Sequence, residues 1–224
     1  MAEQNYKTDL QCVYDSIAHH FSKTRHFIWP EMELFLPVIQ PGGHLIDIGC
    51  GNGRLLRMLQ EKQCTYVGID QSAALIQEAK RQWPNYAFEV ADMSTYHYGR
   101  GRFDTACLIA SLHHLATNEE QQKTLERIFT ALKPGGYLCI TAWNMWQSRY
   151  RKYVLKEPYH HSYIPYQDGL KTEQRFYYAF TKTELTSIAK AAGFEIISCW
   201  YSDKATISDR QHGRNLCLIA KKPL

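Results

Sequence analysis

The stretch HLIDIGCGNGRLL, residues 44–56, constrains the fold more than any other part of the chain. A short apolar run contains Asp47 and is followed by Gly49, Gly51 and Gly53 before a helical pattern begins. Glycine adopts the positive φ angles of a tight turn and lets a ligand approach the backbone closely. The stretch therefore predicts a buried strand, a ligand-binding loop and a helix in succession.

The same alternation of strand and helix continues along the chain. Further predicted strands are TYVGID, which ends at Asp70, then YAFEVADM with Asp92 near its end, FDTACLIASL and YLCITAWN. Two last strands, EIISCWYSD and NLCLIAKK, are expected to be antiparallel. This order predicts an α/β fold, a Rossmann-like, doubly wound, seven-stranded and mostly parallel sheet with N-terminal helices and an antiparallel last strand.

Two departures from the alternation suggest how the chain is organised. Residues 1–40 predict a helical cap, with one helix over 10–28 and a second that opens at Pro30. Residues 41–224 form the sheet domain, and 224 residues suffice for one such domain with a small addition. Within it, residues 143–180 are rich in basic and aromatic side chains and predict a substrate-binding insertion.

Composition excludes several classes of protein. The seven cysteines are scattered and never spaced as CxxC, which favours reduced thiols in a cytoplasmic protein and no metal site. No apolar run approaches the roughly 20 residues of a membrane span, so no membrane partner is expected. The net charge of +4 permits a polyanionic partner without requiring one.

The glycine loop does not match a phosphate-binding motif. Arg54 stands where the third glycine of a dinucleotide fingerprint would be, and a pyrophosphate beside Asp47 would be repelled. S-adenosyl-L-methionine fits better, because it carries a sulfonium, an ammonium, a ribose and an adenine but no phosphate. Asp70 is expected to accept hydrogen bonds from the ribose, and Asp92 with the Met93 backbone to contact the adenine. The candidate cofactor-binding residues are Asp47, Gly49, Cys50, Gly51, Asn52, Gly53, Asp70, Gln71, Asp92, Met93 and Ile109. The alternative is a glycine-rich turn with helix-capping aspartates.

Four segments carry a resemblance to a known family. LIDIGCGNG, GIDQS, VADM and LKPGG resemble the class I S-adenosylmethionine-dependent methyltransferases over roughly residues 44–143. The resemblance implies the fold and the cofactor and leaves the substrate open.

The flanking segments resemble a narrower family. YDSIAHHFSKTR with the following Trp29-Pro30, then SLHHLAT and QRFYYAFTKTELTSIAKAAGFEI, are similar to the tRNA wobble-uridine carboxyl methyltransferases that esterify 5-carboxymethyluridine. Two features depart from that family: Tyr178 stands at a position usually held by histidine, and GRNLCLIAKK replaces the usual C-terminal run. The resemblance implies tRNA, through its anticodon loop, as substrate and a small zinc-binding activator protein as partner.

The chemistry implied by this resemblance needs little acid–base catalysis. A carboxylate is already a nucleophile at neutral pH, so transfer depends on in-line placement and exclusion of water. The candidate catalytic residues are Arg25, Tyr14, His113 and His114, of which Tyr14 and Arg25 are also expected to contact the cofactor. The alternatives are an exposed Arg25 at a helix end, a His114 that only packs and a His113 that caps the following helix.

The insertion is compatible with more than one substrate. Its cations would neutralise phosphates and its aromatic rings would stack on bases, as in recognition of single-stranded RNA loops. The same residues would also make a lid over a small aromatic compound. A small-molecule O- or C-methyltransferase and a non-catalytic cofactor-binding scaffold are therefore the alternative functions.

Overall fold

The computed structural model describes residues 2–24, 29–155, 160–168 and 171–224. Ten strands form two sheets: β1 (His44–Ile48), β2 (Thr65–Asp70), β3 (Ala87–Val90), β4 (Phe103–Ile109), β5 (Leu132–Trp143), β6 (His161–Asp168), β7 (Lys171–Tyr178), β8 (Glu195–Asp203), β9 (Thr206–Ser208) and β10 (Asn215–Lys221). The predicted Arg25 lies outside the described residues.

Within the described residues, six α-helices accompany the strands. They are α1 (Ala2–Thr24), α2 (Pro30–Glu33), α3 (Leu56–Leu59), α4 (Ala73–Gln82), α5 (Asn118–Ala131) and α6 (Lys182–Ala191). Ser72, Thr117 and Thr181 cap α4, α5 and α6, each side chain accepting a hydrogen bond from a backbone N–H of the first turn. In the part of the chain that the structure describes, no helix has the length and apolarity to cross a membrane.

The main sheet has the order β3-β2-β1-β4-β5-β10-β8-β9. The strands from β3 to β5 pair in parallel, and β10 is antiparallel to both β5 and β8. The central strands β1 and β4 are buried along nearly their whole length, as expected for strands covered on both faces. The predicted Rossmann-like α/β fold with antiparallel C-terminal strands is thus confirmed.

The predicted number of seven strands is wrong, because the main sheet has eight. The additional strand, β9, pairs with the end of β8 across a turn in which Lys204 and Ala205 have φ angles of 50° and 66°. Such tight hairpin turns usually carry Asn or Gly, which accept positive φ at low cost. Lys-Ala gives no turn signal, so the sequence pattern does not reveal this hairpin.

Several strands in the main sheet have bounds that differ from the prediction, β3 and β5 by the most. β3 ends at Val90, so Asp92 lies beyond it, and β5 begins at Leu132 rather than at Tyr137. β3 forms one edge of the sheet, as its position in the chain predicts.

The insertion contains a separate antiparallel hairpin, β6 with β7. A small core of Met145, Trp146, Ile164, Tyr177 and Ala179 lies beneath it. The hairpin therefore holds its own apolar contacts while β7 also packs against α1.

One carboxylate joins the N-terminal helix to the sheet domain. Oδ1 of Asp15, in α1, accepts hydrogen bonds from the Ser72 hydroxyl at 2.5 Å and from the Ala74 backbone N–H at 3.2 Å. Both donors lie at the N-terminus of α4, where the helix dipole favours negative charge. Asp15 thus fixes α1 against α4, next to the carboxyl end of β2.

We expect Asp15→Ala to lower the free energy of unfolding by about 1 kcal/mol, as for loss of a helix N-terminal acceptor. Asp15→Asn is the matched control, because its amide oxygen still accepts both hydrogen bonds. Urea denaturation should therefore order the variants as wild type, Asp15→Asn, then Asp15→Ala. Equal stability of all three would contradict this role.

Candidate active site

A cleft of about 940 Å³ opens at the carboxyl ends of the parallel strands. The strand order reverses between β1 and β4, and ligands of open α/β sheets bind at such a reversal. The predicted residues that line the cleft are Tyr14, Asp47, Gly49, Cys50, Gly51, Asn52, Asp70, Gln71, Met93, Ile109, His113 and His114. Residues from five separate segments therefore meet where the alternation predicts a site.

The glycine loop after β1 is shaped by its backbone. Gly49 and Gly51 have φ angles of 72° and 56°, which favour glycine. A Cβ on Gly49 would lie 2.3 Å from the Cβ of Ser111, so no side chain fits there. A Cβ on Gly51 would meet open space. The loop thus presents bare backbone to the cleft.

Asp70 fixes the conformation of this loop. Its carboxylate accepts a hydrogen bond from the Gly51 N–H at 2.9 Å and another from the Ser72 N–H at 2.9 Å. Burial raises the pKa of Asp70, whereas these two bonds oppose that rise. The carboxylate is therefore held rigidly at the end of β2, facing the cleft.

Asp47 is a buried carboxyl group with one free oxygen. Its Oδ2 accepts a hydrogen bond from the Tyr66 hydroxyl at 2.8 Å, whereas Oδ1 has no hydrogen-bond partner among the described residues. Burial raises the pKa of Asp47 to about 7, against the lowering effects of Tyr66 and Arg54. An unpaired buried carboxyl group that lines a cleft is suited to a cationic ligand.

Two predicted cofactor-binding residues are not among the described residues that line the cleft. A Cβ on Gly53 would lie 2.9 Å from Trp83 and 3.0 Å from Phe88, so this glycine serves packing. Oδ1 of Asp92 accepts bonds from the backbone N–H and the hydroxyl of Ser94, both at 2.8 Å. Oδ1 of Asp92 is thus engaged within its own loop, two residues beyond the end of β3.

Met93 lines the cleft through a different group from the one predicted. Its carbonyl accepts a hydrogen bond from the Tyr98 hydroxyl at 2.8 Å. A Cβ placed on Gly49 would lie 3.7 Å from Cε of Met93, so the thioether reaches the glycine loop. The side chain therefore forms part of the cleft wall.

Tyr14 and His114 form the centre of a hydrogen-bond network. Nδ1 of His114 lies 2.8 Å from the Phe176 carbonyl, which only accepts, so Nδ1 carries the proton. Nε2 therefore accepts a hydrogen bond from the Tyr14 hydroxyl at 3.0 Å. Burial lowers the pKa of His114 to about 4, which keeps the ring neutral. The network connects α1, the 3₁₀ turn Leu112–His114 and β7.

His113 is fully buried and presents a proton to the cleft. Its Nδ1 accepts a hydrogen bond from the Trp143 backbone N–H at 3.2 Å, so Nε2 carries the proton. This N–H has no acceptor in the described ranges of the chain. Thr117, not His113, caps the following helix, so the capping alternative is wrong.

Arg175 is a cleft residue that the sequence analysis did not single out. It lies on β7 and is 4% exposed, with its guanidinium 4.7 Å from the Tyr166 ring centre, 5.5 Å from Tyr177 and 5.6 Å from Trp143. Its charge also acts on the Tyr14 hydroxyl, whose pKa it lowers against the raising effect of burial. One sequence feature could have identified Arg175 as a site residue. It lies directly before Phe-Tyr-Tyr, in the segment that is similar to the tRNA methyltransferases.

The departure from the family at Tyr178 does not alter the cleft. Tyr178 stacks on His160, with ring centres 5.3 Å apart, and donates a hydrogen bond to Asn118 at 2.9 Å. Tyr177 is the residue of this pair that lines the cleft.

The surface beside the cleft is basic and aromatic. Arg149, Arg151 and Lys152 are exposed. The Trp143 ring stacks on Tyr150, with ring centres 5.9 Å apart and planes 22° apart. Arg149 lies over the Tyr150 ring and Lys152 over the Tyr153 ring, and Tyr150 in turn stacks on Trp143, which lines the cleft.

Comparison with known proteins places these features in a family. A family model described as a methyltransferase domain matches residues 19–199. The chain is 38% identical over 131 residues to an Arabidopsis thaliana tRNA (carboxymethyluridine(34)-5-O)-methyltransferase, covering 58% of this chain and 31% of that protein. It is 28% identical over 209 residues to a Schizosaccharomyces pombe protein of the same name, covering 84% of this chain and 90% of that protein.

A solved structure has the same architecture. It is a chain from a complex that contains the Haloferax volcanii Trm112 methyltransferase activator. Superposition gives a TM-score of 0.72 at 16% sequence identity and covers 96% of this chain and 98% of that one. The chain spans about a third or less of the length of several curated relatives. The matched family model covers most of the sheet domain and its cleft, and the chain therefore belongs to the methyltransferase-domain family.

Proposed function

We propose that this chain transfers a methyl group from S-adenosyl-L-methionine to the carboxylate of a 5-carboxymethyl-type uridine at the wobble position of tRNA. One observation carries the proposal: Tyr14, His114 and Arg175 belong to three segments similar to the tRNA wobble-uridine methyltransferases, and all three line the cleft, where Tyr14 donates a hydrogen bond to His114. The names of the relatives in Arabidopsis and fission yeast support the same substrate.

The residues present fit the proposed cofactor. The free Oδ1 of Asp47 suits the ammonium, the bare backbone at Gly51 admits the methionine portion, and the fixed carboxylate of Asp70 suits the ribose hydroxyls. When bound, S-adenosylmethionine supplies an electrophilic methyl group, and transfer forms an O–C bond while the C–S bond breaks with its electrons on sulfur. The chain's own residues bind the two reactants, orient them and exclude water. No residue has to act as an acid or base, since no proton needs to move.

We also propose that the enzyme binds an activator protein and acts in the cytoplasm. An activator of the Trm112 type is supported by the structural likeness to the Haloferax chain, and edge strand β3, where Val90 is 54% exposed, is the proposed docking surface. A tRNA substrate and seven free cysteines fit a cytoplasmic enzyme.

The direct test is methyl transfer to tRNA. We expect purified protein, alone or with a co-expressed activator, to convert 5-carboxymethyluridine in hypomodified tRNA to its methyl ester, detected by nucleoside mass spectrometry. Transcripts with unmodified uridine serve as the control and should remain unmethylated. Absence of transfer under both conditions, together with salt-insensitive transfer to a compound in metabolite extracts, would support a small-molecule enzyme instead.

The Asp70 contact can be tested without the tRNA. We expect Asp70→Asn to weaken binding of S-adenosylhomocysteine about 10- to 100-fold, because charge-assisted hydrogen bonds contribute roughly 1.5–3 kcal/mol each. Asn keeps the shape and one acceptor, and the melting temperature reports whether the glycine loop has been disturbed. Calorimetry that finds unchanged affinity in a stable variant would overturn the ribose assignment.

Binding of the cationic cofactor should depend on pH through Asp47. Its pKa of about 7 means that the free protein loses this negative charge as the pH falls through neutrality. A bound ammonium favours the charged form, so affinity for S-adenosylhomocysteine should fall by up to about tenfold per pH unit below about pH 7. Two controls should remove the dependence: Asp47→Asn, and 5′-methylthioadenosine, which lacks the ammonium. A slope that persists in Asp47→Asn would assign it to another group.

A further inference from the structure

Arg175 is a permanent positive charge in an almost fully buried position. Arginine does not lose its proton in proteins, so burial cannot neutralise it. No carboxylate lies within ion-pair distance of its guanidinium among the residues that the structure describes. A buried charge is costly unless it is paired, and the rings of Trp143, Tyr166 and Tyr177 offset only part of that cost.

The hydrogen-bonding groups around Arg175 also lack acceptors. Its Nε–H is buried without a hydrogen-bond partner in the described part of the chain, and so is the Nε2–H of His113. Both side chains line the same cleft and both contact Tyr177. Buried donors are nearly always satisfied, so two of them beside an unpaired cation indicate an anionic, oxygen-bearing ligand.

We propose that Arg175, with the Nε2–H of His113, binds the carboxylate of the methyl acceptor and makes the enzyme specific for an acid over a neutral analogue. This assignment rests on the proposed function and names the residues that select its substrate. Arg25, which the sequence predicts as a catalytic and cofactor-binding residue, lies outside the described residues.

The position of Arg175 distinguishes it from the cofactor half of the cleft. Arg54, which follows the glycine loop and lies 3.9 Å from the Trp29 ring centre, is the cation next to Asp47. Arg175 instead belongs to the group of Tyr14, Tyr177 and the two histidines after β4. The end of β4 is where the acceptor is expected, so the carboxylate at Arg175 is that of the acceptor rather than that of the methionine.

The proposed pairing also has a consequence for the product. A carboxylate carries one negative charge, whereas its methyl ester carries none. The ion pair with Arg175 therefore exists before transfer and is absent after it. We expect the methylated RNA to bind more weakly than its acid precursor, which favours product release.

The test measures the binding of two RNA ligands to each of four proteins. Anticodon stem-loop RNAs carry either 5-carboxymethyluridine or its carboxamide at the wobble position, and binding is measured with S-adenosylhomocysteine present so that no methyl is transferred. The proteins are wild type, Arg175→Gln, Arg175→Lys and Arg149→Gln, the last removing an exposed cation that lies over the Tyr150 ring. Wild-type methyl transfer to 5-carboxymethyluridine tRNA is measured alongside.

We expect the wild type to bind the acid RNA about tenfold or more tightly than the amide RNA, as for a charge-assisted contact. Arg175→Gln should abolish this ratio, and Arg175→Lys should retain part of it. Arg149→Gln should weaken both RNAs equally and keep the ratio. Affinity of Arg175→Gln for S-adenosylhomocysteine should stay within about twofold of wild type, which also shows that the variant is folded.

Several outcomes would overturn the assignment. If the wild type methylates the tRNA but Arg175→Gln keeps the acid preference, Arg175 does not select the carboxylate. If Arg175→Gln loses S-adenosylhomocysteine and keeps the preference, its partner is the methionine carboxylate. If the wild type methylates no tRNA, the proposed function fails, and the assignment of an RNA carboxylate to Arg175 fails with it.

Discussion

The hydrogen bond between Tyr14 and His114 connects parts of the chain that are one hundred residues apart, and the cleft depends on it. Tyr14 donates to a histidine that the Phe176 carbonyl holds in one tautomer. Each bond fixes the direction of the next. Because burial keeps the pKa of His114 near 4, the ring stays neutral and continues to accept from Tyr14 at physiological pH.

The cleft brings together unpaired groups of opposite charge. On the side of the glycine loop, a buried carboxyl oxygen of Asp47 has no partner in the described part of the structure, and on the side of β7 the Arg175 guanidinium has no carboxylate there. A sulfonium cofactor with an ammonium suits the first and an acceptor carboxylate suits the second. Methyl transfer joins a cation to an anion and leaves neutral sulfur and a neutral ester. The arrangement therefore favours binding of both reactants and weakens the hold on the methylated product.

Much of this architecture can be predicted from the sequence, because each prediction rests on local chemistry. The apolar run around Asp47 and the alternation of strands and helices identify elements by their own residues. Asp70 could be placed at the cleft because the end of a parallel strand determines where its last residue lies.

The features that the sequence could not reveal depend on contacts between distant segments or on strain. Arg175 is one basic residue among several in the insertion, and only the pairing of β6 with β7 and the contact of β7 with α1 bring it to Tyr14. Asp92 is predicted to contact the adenine from its place after the third strand, but the sequence does not show that Ser94 donates two hydrogen bonds to its Oδ1. The turn at Lys204 and Ala205 adopts a conformation that neither residue prefers, so the eighth strand has no local signal.

The most direct test of this account is a crystal structure of the protein with S-adenosylhomocysteine and an anticodon stem-loop that carries 5-carboxymethyluridine. The account predicts that one carboxylate oxygen lies about 3 Å from Arg175 and the Nε2 of His113, as a hydrogen bond requires, while the other oxygen faces the sulfur. The homocysteine ammonium should lie at the free oxygen of Asp47. A uridine carboxylate bound away from Arg175, or a homocysteine carboxylate in its place, would contradict the account.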